Sequence, residues 1–174
     1  MKRKVIVVMT TLLALSTVAC TRAANPSESV LVASTAATTP ASSPAGAMEA
    51  LPIVVVHKSP SCGCCGLWVD HLRAAGFEVQ VRDTDDLNPI KESVGVPVGK
   101  GSCHTAQVGG YFVEGHVPAE DIKRLLAQKP DAKGLVLPGM PAGSPGMEMP
   151  DGSRQPYTVE LVGKDGMTTD FASH

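Results

Sequence analysis

The chain has 174 residues, five cysteines, seven methionines, 3% aromatic residues and a formal net charge of −2. That length allows one domain with a hydrophobic core of its own. A near-neutral chain without a basic stripe is a poor match to nucleic acid, whose phosphates need clustered cations, so no nucleic-acid partner is expected.

Lys2-Arg3-Lys4 ahead of the apolar run Val5 to Leu15 reads as a signal peptide over residues 1–19. The run falls short of the ~20 residues that span a bilayer as a helix. Without those three cations, 12 basic and 17 acidic residues remain, a net charge of −5. Thr17-Val18-Ala19-Cys20 sets small residues directly before a cysteine, as in a bacterial lipobox. Cys20 is therefore the expected site of lipidation and the first residue of the mature chain. Thr17 stands where leucine is the commoner residue, and ordinary cleavage near Ala23 or Ala24 is the alternative. Residues 20–50 are Ala, Ser, Thr and Pro, with Val30-Leu31-Val32 the one large apolar group. Such a segment buries too little surface to offset ordering and reads as a lipid-anchored flexible linker, against a short helix around Val30.

Residues 51–174 read as one α/β domain. Pro52 to His57, with Ile53-Val54-Val55-Val56 unbroken, predicts a central strand covered on both faces. Cys62-Gly63-Cys64-Cys65 follows, and Leu67 to Gly76 predicts a helix ending at its glycine. Cys65, Trp68 or Val69, Leu72 and Ala75 share one helical face, which sends Cys65 to the core and leaves Cys62 at the exposed start. Phe77 to Asp83 alternates as a second strand, and Asp86 to Val94 reads as a short helix capped by Asp86. Ser102 to Val108, Gly109-Gly110 and Tyr111 to Gly115 form a hairpin signal. A helix over Ala119 to Ala127 follows Pro118, with Ile122, Leu125 and Leu126 on its core side. The order β-α-β-α-β-β-α is that of the thioredoxin-like fold, with parallel first strands joined right-handedly. Gly134 to Pro156 reads as irregular Met/Pro/Gly-rich chain holding Met140, Met147 and Met149, expected to run over the active face, and Tyr157 to Phe171 as a final hairpin.

A strand-to-helix junction presents free N–H groups that favour a negative thiolate. Cys62 and Cys65 have the spacing of a redox pair, but Cys64 makes the motif CxCC. A third thiol between the pair would invite wrong disulfides. Cys103 precedes the hairpin, where thioredoxin-like folds turn a loop toward the CxxC, so four thiols are expected to meet. Three ligands within four residues, two of them adjacent, fit one tetrahedral zinc ion badly. They fit thiolates shared among several soft ions, and thiolates and thioethers select Cu(I). His104, His116 or a methionine could complete the coordination. The competing reading is two structural disulfides, in which adjacent and CxC cysteines would be strained.

Lys58 to Cys65, Asp83-Thr84-Asp85-Asp86, Gly101 to Ala106, Val113 to Pro118, Gly139-Met140-Pro141 and Ser144 to Glu148 resemble a domain-of-unknown-function family of bacterial metal-binding proteins. That family includes a periplasmic copper-resistance protein, and the resemblance covers about residues 51–174. It implies a thioredoxin-like fold, more than one Cu(I) held on the CxCC cysteines and the later cysteine, copper resistance, and a redox change of copper. The expected metal ligands are Cys62, Cys64, Cys65, Cys103, His104, His116 and Met147, with Met149 a weaker candidate. Trp68 is expected as core beside the cysteines. His57, His71 and His174 have no partner by spacing, and Asp83, Asp85 and Asp86 read as helix-opening acids. The expected setting is the periplasm of a Gram-negative bacterium, with a membrane reached through the lipid and envelope copper-handling proteins as partners. Two rivals stay open: a thiol–disulfide oxidoreductase working through Cys62 and Cys65, and a copper chaperone to another protein.

Overall fold

A computed structural model describes residues 50–174. The signal peptide, Cys20 and the linker up to residue 49 lie outside the described residues. Strand β1 (Val54–Lys58) leads through Ser59–Cys62 into helix α1 (Gly63–Ala74). The helix starts earlier than its apolar spacing suggests, so Cys64 and Cys65 lie in its first turn and Cys62 is the N-cap, with no side-chain cap bond. It stops at Gly76, whose φ of +94° lets its N–H reach the Arg73 carbonyl at 3.0 Å. Strand β2 (Val79–Asp83) is followed by helix α2 (Asn88–Val94). Asp86 accepts a bond from the Asn88 N–H at 3.0 Å, as expected, although Leu87 holds the N-cap position.

Strands β3 (His104–Val108) and β4 (Tyr111–Gly115) form the expected hairpin about Gly109-Gly110, both at positive φ as its tight turn requires. Helix α3 (Ala119–Gln128) crosses over to β5 (Ala132–Leu137), and β6 (Thr158–Gly163) and β7 (Thr168–Ser173) close the chain. The seven strands make one sheet in the order β2-β1-β3-β4-β5-β6-β7. Pairs β1/β2 and β4/β5 are parallel and the rest antiparallel.

Two expectations are corrected. The first concerns the segment from Gly134, which does not start as coil: β5 runs through it, parallel to β4. Gly134 reads as a turn residue in sequence, yet a Cβ there would run into the Phe112 backbone, so glycine is what permits the close strand contact. The second concerns β1, which is fully covered on one face only: Val54 and Val56 are buried, whereas Val55 and His57 are half-buried. Helices α1 and α3 pack Trp68, Val69, Leu72, Ile122 and Leu125 against one face of the sheet. The other face carries the small cluster Phe112, Val136 and Val162, against which Val94 of α2 and Val96 pack, and α2 buries no residue completely.

Candidate metal centre

One end of the sheet gathers the four candidate cysteines, His104, His116 and Met140. The C-terminal end of β1 delivers the CxCC turn. Strand β3 runs antiparallel to β1, with His104 opposite Lys58, so Cys103 enters at the same end. Strand β4 runs back and leaves His116 there, and its parallel neighbour β5 ends there too, leading to Met140. Strand direction alone therefore converges residues from four separate segments. Ligand sites commonly form at the carboxyl ends of strands for this reason.

Four sulfurs, those of Cys62, Cys64, Cys65 and Cys103, lie within 4.8 Å of one another. A second set, Cys65, Cys103, His104 and His116, meets the same limit and shares two of those sulfurs. Cys103 Sγ is 3.3 Å from Cys65 Sγ and 3.5 Å from Met140 Sδ. It is also 3.8 Å from His104 Nδ1 and 3.7 Å from His116 Nε2. Cys65 is fully buried, while Cys62, Cys64 and Cys103 are half-buried.

Cys62 and Cys65 are joined as a disulfide, and Cys64 and Cys103 are free thiols. The first helical turn brings the two Cα atoms to 5.4 Å, within the ordinary range for a bridge. The expected quartet is thus assembled in place, and one of its pairs is oxidised. Ligation of a metal through Cys62 or Cys65 requires two electrons to open that bond. Burial, with the Cys64 sulfur beside it, pushes the Cys103 thiol up to about 11. It is protonated at neutral pH, and a metal must displace that proton.

The imidazoles are set by their neighbours. His116 Nδ1 donates to the Pro145 carbonyl at 2.7 Å, which leaves the Nε2 lone pair facing Cys103. The His104 ring lies tilted by 33° against Trp68 with ring centroids 4.3 Å apart, and its buried Nε2 has no hydrogen-bond partner. Its other nitrogen, Nδ1, is the one beside the sulfurs, 3.8 Å from Cys103 Sγ, and an imidazole nitrogen among crowded thiols fits a soft metal site. The loop from Gly139 to Pro150 does run over this face, as expected. A Cβ on Gly146 would come within 2.8 Å of the Cys64 carbonyl oxygen and the Trp68 nitrogen. Only glycine, here at φ +81°, allows that approach.

Burial pulls the His104 pKa down to about 3, with His116 adding to it, and burial lowers His116 as well. The unfolded chain protonates these rings near the ordinary value of about 6.5. The contribution of the His104 ring to the stability of the metal-free protein is therefore complete above about pH 6.5 and falls as pH drops from there toward 3, by up to about 1.4 kcal/mol per pH unit, and His116 acts in the same direction. Urea midpoints at pH 7 and pH 5 test this: the midpoint is expected to be lower at pH 5, and an unchanged one contradicts it.

Met140 rather than Met147 touches the thiols. Met147 is half-buried, and its recorded hydrogen bonds are backbone ones to Gly143 and Ser144. The signal available in sequence was the position of Met140 just past the end of β5, hidden because β5 itself was read as coil. Met149 is exposed. His71 Nε2 accepts from the Ala119 N–H at 3.1 Å, so it caps α3. His174 pairs with Asp121 at 2.7 Å. Two cavities of about 350 and 440 Å³ lie at the opposite end of the sheet, around Gly109 and Tyr111, and a third of about 430 Å³ lies beside Leu137, Gly139 and Pro141; none of the three is lined by a cysteine or histidine. Among the described residues no helix is long and apolar enough to cross a membrane.

A family model described as "Protein of unknown function, DUF411" matches residues 100–147, which include Cys103, His104, His116 and Met140. Two solved structures titled "Copper resistance protein copG", form 1 and form 2, are 43% and 42% identical to this chain. Each superposes with a TM-score of 0.67 over 71% of this chain and 98% of its own length. No curated protein matches.

Proposed function

The chain belongs to the DUF411 copper-resistance family, and from that premise we propose that it holds Cu(I) in the cell envelope as a thiolate cluster of more than one ion. Cys62, Cys64, Cys65 and Cys103 are the thiolate ligands, and His104 and His116 complete the site. The observation that carries this reading is the pair of four-ligand sets sharing Cys65 and Cys103. A thiolate has lone pairs enough to bridge two soft ions, so shared sulfurs suit several Cu(I) ions better than one. Met140 adds a thioether at 3.5 Å from Cys103, and Met147 is a further thioether on the same loop. The thioredoxin-like reading of the core is supported by the order β1-α1-β2-α2-β3-β4-α3 and by the CxCC turn after β1.

The Cys62–Cys65 bridge supports a redox role for the same site. Opening the Cys62–Cys65 bond takes two electrons and two protons and yields two thiols. Those electrons would come from two Cu(I) ions taken as substrate, one from each, leaving two Cu(II). In the reverse direction the dithiol reduces two Cu(II) to two Cu(I) and closes the bridge. The chain serves copper resistance in the periplasm of a Gram-negative bacterium. Residues 1–19 act as its signal peptide, a lipid on Cys20 is its anchor, and residues 20–50 are the tether that lets the domain reach envelope copper-handling partners.

The disulfide favours one second reading, a thiol–disulfide oxidoreductase using Cys62 and Cys65. Elemental analysis of reduced, anaerobically loaded protein separates the two. The cluster reading expects more than one copper per chain, reduced by Cys64→Ser. Protein without copper that reduces insulin in a Cys62-dependent way would overturn it in favour of the oxidoreductase.

A further inference from the structure

On the face of the sheet away from the thiols, a carboxylate is buried that no copper ligation uses. Glu114 of β4 is fully inaccessible and sits opposite Thr105 in the strand register. It accepts from the Lys91 ammonium of α2, from the Ser102 backbone N–H and from the Thr105 hydroxyl, the last at 2.8 Å. Lys91 also donates to Thr105 Oγ1 at 2.9 Å, and Ser102 Oγ donates to the His104 carbonyl at 3.2 Å. The network is closed, with each partner satisfied.

The partners flank the ligand dipeptide. Ser102 precedes Cys103 and Thr105 follows His104, so one carboxylate grips the chain on both sides of two adjacent ligands. The loop before them is tied a second time, where Lys100 donates to Glu160 Oε1 at 2.8 Å. A buried ion pair is a poor way to gain stability, because desolvation offsets much of the attraction, and an apolar pair of similar volume often does as well. Its use is better sought in orientation. Cys103 itself lies outside the regular strand, which begins at His104, so ladder hydrogen bonds do not fix it.

We propose that Glu114 is a positioning residue of the metal centre: through Ser102 and Thr105 it holds Cys103 Sγ against Cys65 and the His104 ring against Trp68. It touches no metal and acts through the backbone, much as groups behind metal ligands set ligand orientation in other sites. The inference rests on the Cu(I) reading above.

The test is Cu(I) affinity of reduced protein, measured anaerobically by competition with bicinchoninate. The variant is Glu114→Gln with Lys91→Met, which removes the charge without stranding the ammonium. The pair is expected to lose about 10- to 100-fold in affinity, in the wild-type background and in Cys64→Ser alike. In Cys103→Ser, where only the His104 ring is left to position, the same pair is expected to lose clearly less than in wild type. A purely structural role would lower stability equally in all three backgrounds and leave the affinity of folded protein alone, and that result overturns the proposal. If the double variant does not fold, Thr105→Val removes one arm of the grip and must show the same dependence on Cys103 at smaller size, or the proposal fails. Wild-type protein that binds no Cu(I) sinks the copper reading and this inference together. Thiol-dependent binding that the variants leave untouched sinks this inference alone.

Discussion

Replacing Cys103 with serine is expected to take the reduced protein from several copper ions to at most one per chain. Cys103 belongs to both ligand sets, as Cys65 does, whereas Cys64, His104 and His116 each belong to one. Its removal leaves the all-cysteine set with three sulfurs and the mixed set with Cys65 and two imidazoles. Of the two sulfurs that the sets share only Cys65 remains, and Met140 loses its neighbour at 3.5 Å. Serine keeps the size but offers a hard oxygen that Cu(I) binds poorly. Cys64→Ser and His116→Gln should each cost less, since the other set survives. Copper per chain by elemental analysis, across the three variants, orders them. Cys103→Ser retaining the wild-type copper count would contradict the shared-sulfur geometry.

The largest expected effect on stability comes from Trp68→Ala. Trp68 is the single tryptophan, fully buried at the centre of the core. Its Nε1 donates to the Val117 carbonyl at 2.9 Å, and its ring carries His104. Truncation removes a large apolar surface, leaves a cavity and strands the Val117 carbonyl. The expected loss is about 3–5 kcal/mol, with Tm lower by about 10 °C or more. Trp68→Phe retains an aromatic face for His104 but not the hydrogen bond, and should cost about 1–3 kcal/mol. Denaturant unfolding of metal-free protein measures both. A Trp68→Ala loss under about 1 kcal/mol would mean the site end of the core is packed by other residues.

The ring under His104 also explains why that histidine differs from the others. His57, His71 and His174 could be set aside from spacing alone, and in the structure His57 lies within β1, His71 caps α3 and His174 is hydrogen-bonded to Asp121. His104 and Cys103 are adjacent in sequence and were legible as a pair. That Nε2 of His104 would be left unpartnered inside the core was not legible, because the wall around it comes from α1 and β4. The same is true of Glu114. In sequence it is one acid in an alternating strand, and only the pairing of β3 with β4 and the position of α2 turn it into the anchor of the ligand loop.

The order of elements through α3, the helix stop at Gly76, the Gly109-Gly110 hairpin and the concentration of thiols after the first strand were all determined by sequence. They depend on local matters: side-chain periodicity, glycine at positive φ and ligand spacing along a few residues. Strand β5 was not, because Gly134 owes its place to the backbone of Phe112, a neighbour distant in sequence. The contact of Met140 with Cys103 was hidden for the same reason, since the end of β5 carries that methionine to the thiols. The sharing of Cys65 and Cys103 between two ligand sets was likewise decided by tertiary structure. A sequence records which donors are present. How far apart they stand depends on strand directions and on which chain segments pack over them, and those are set only when the whole sheet has formed.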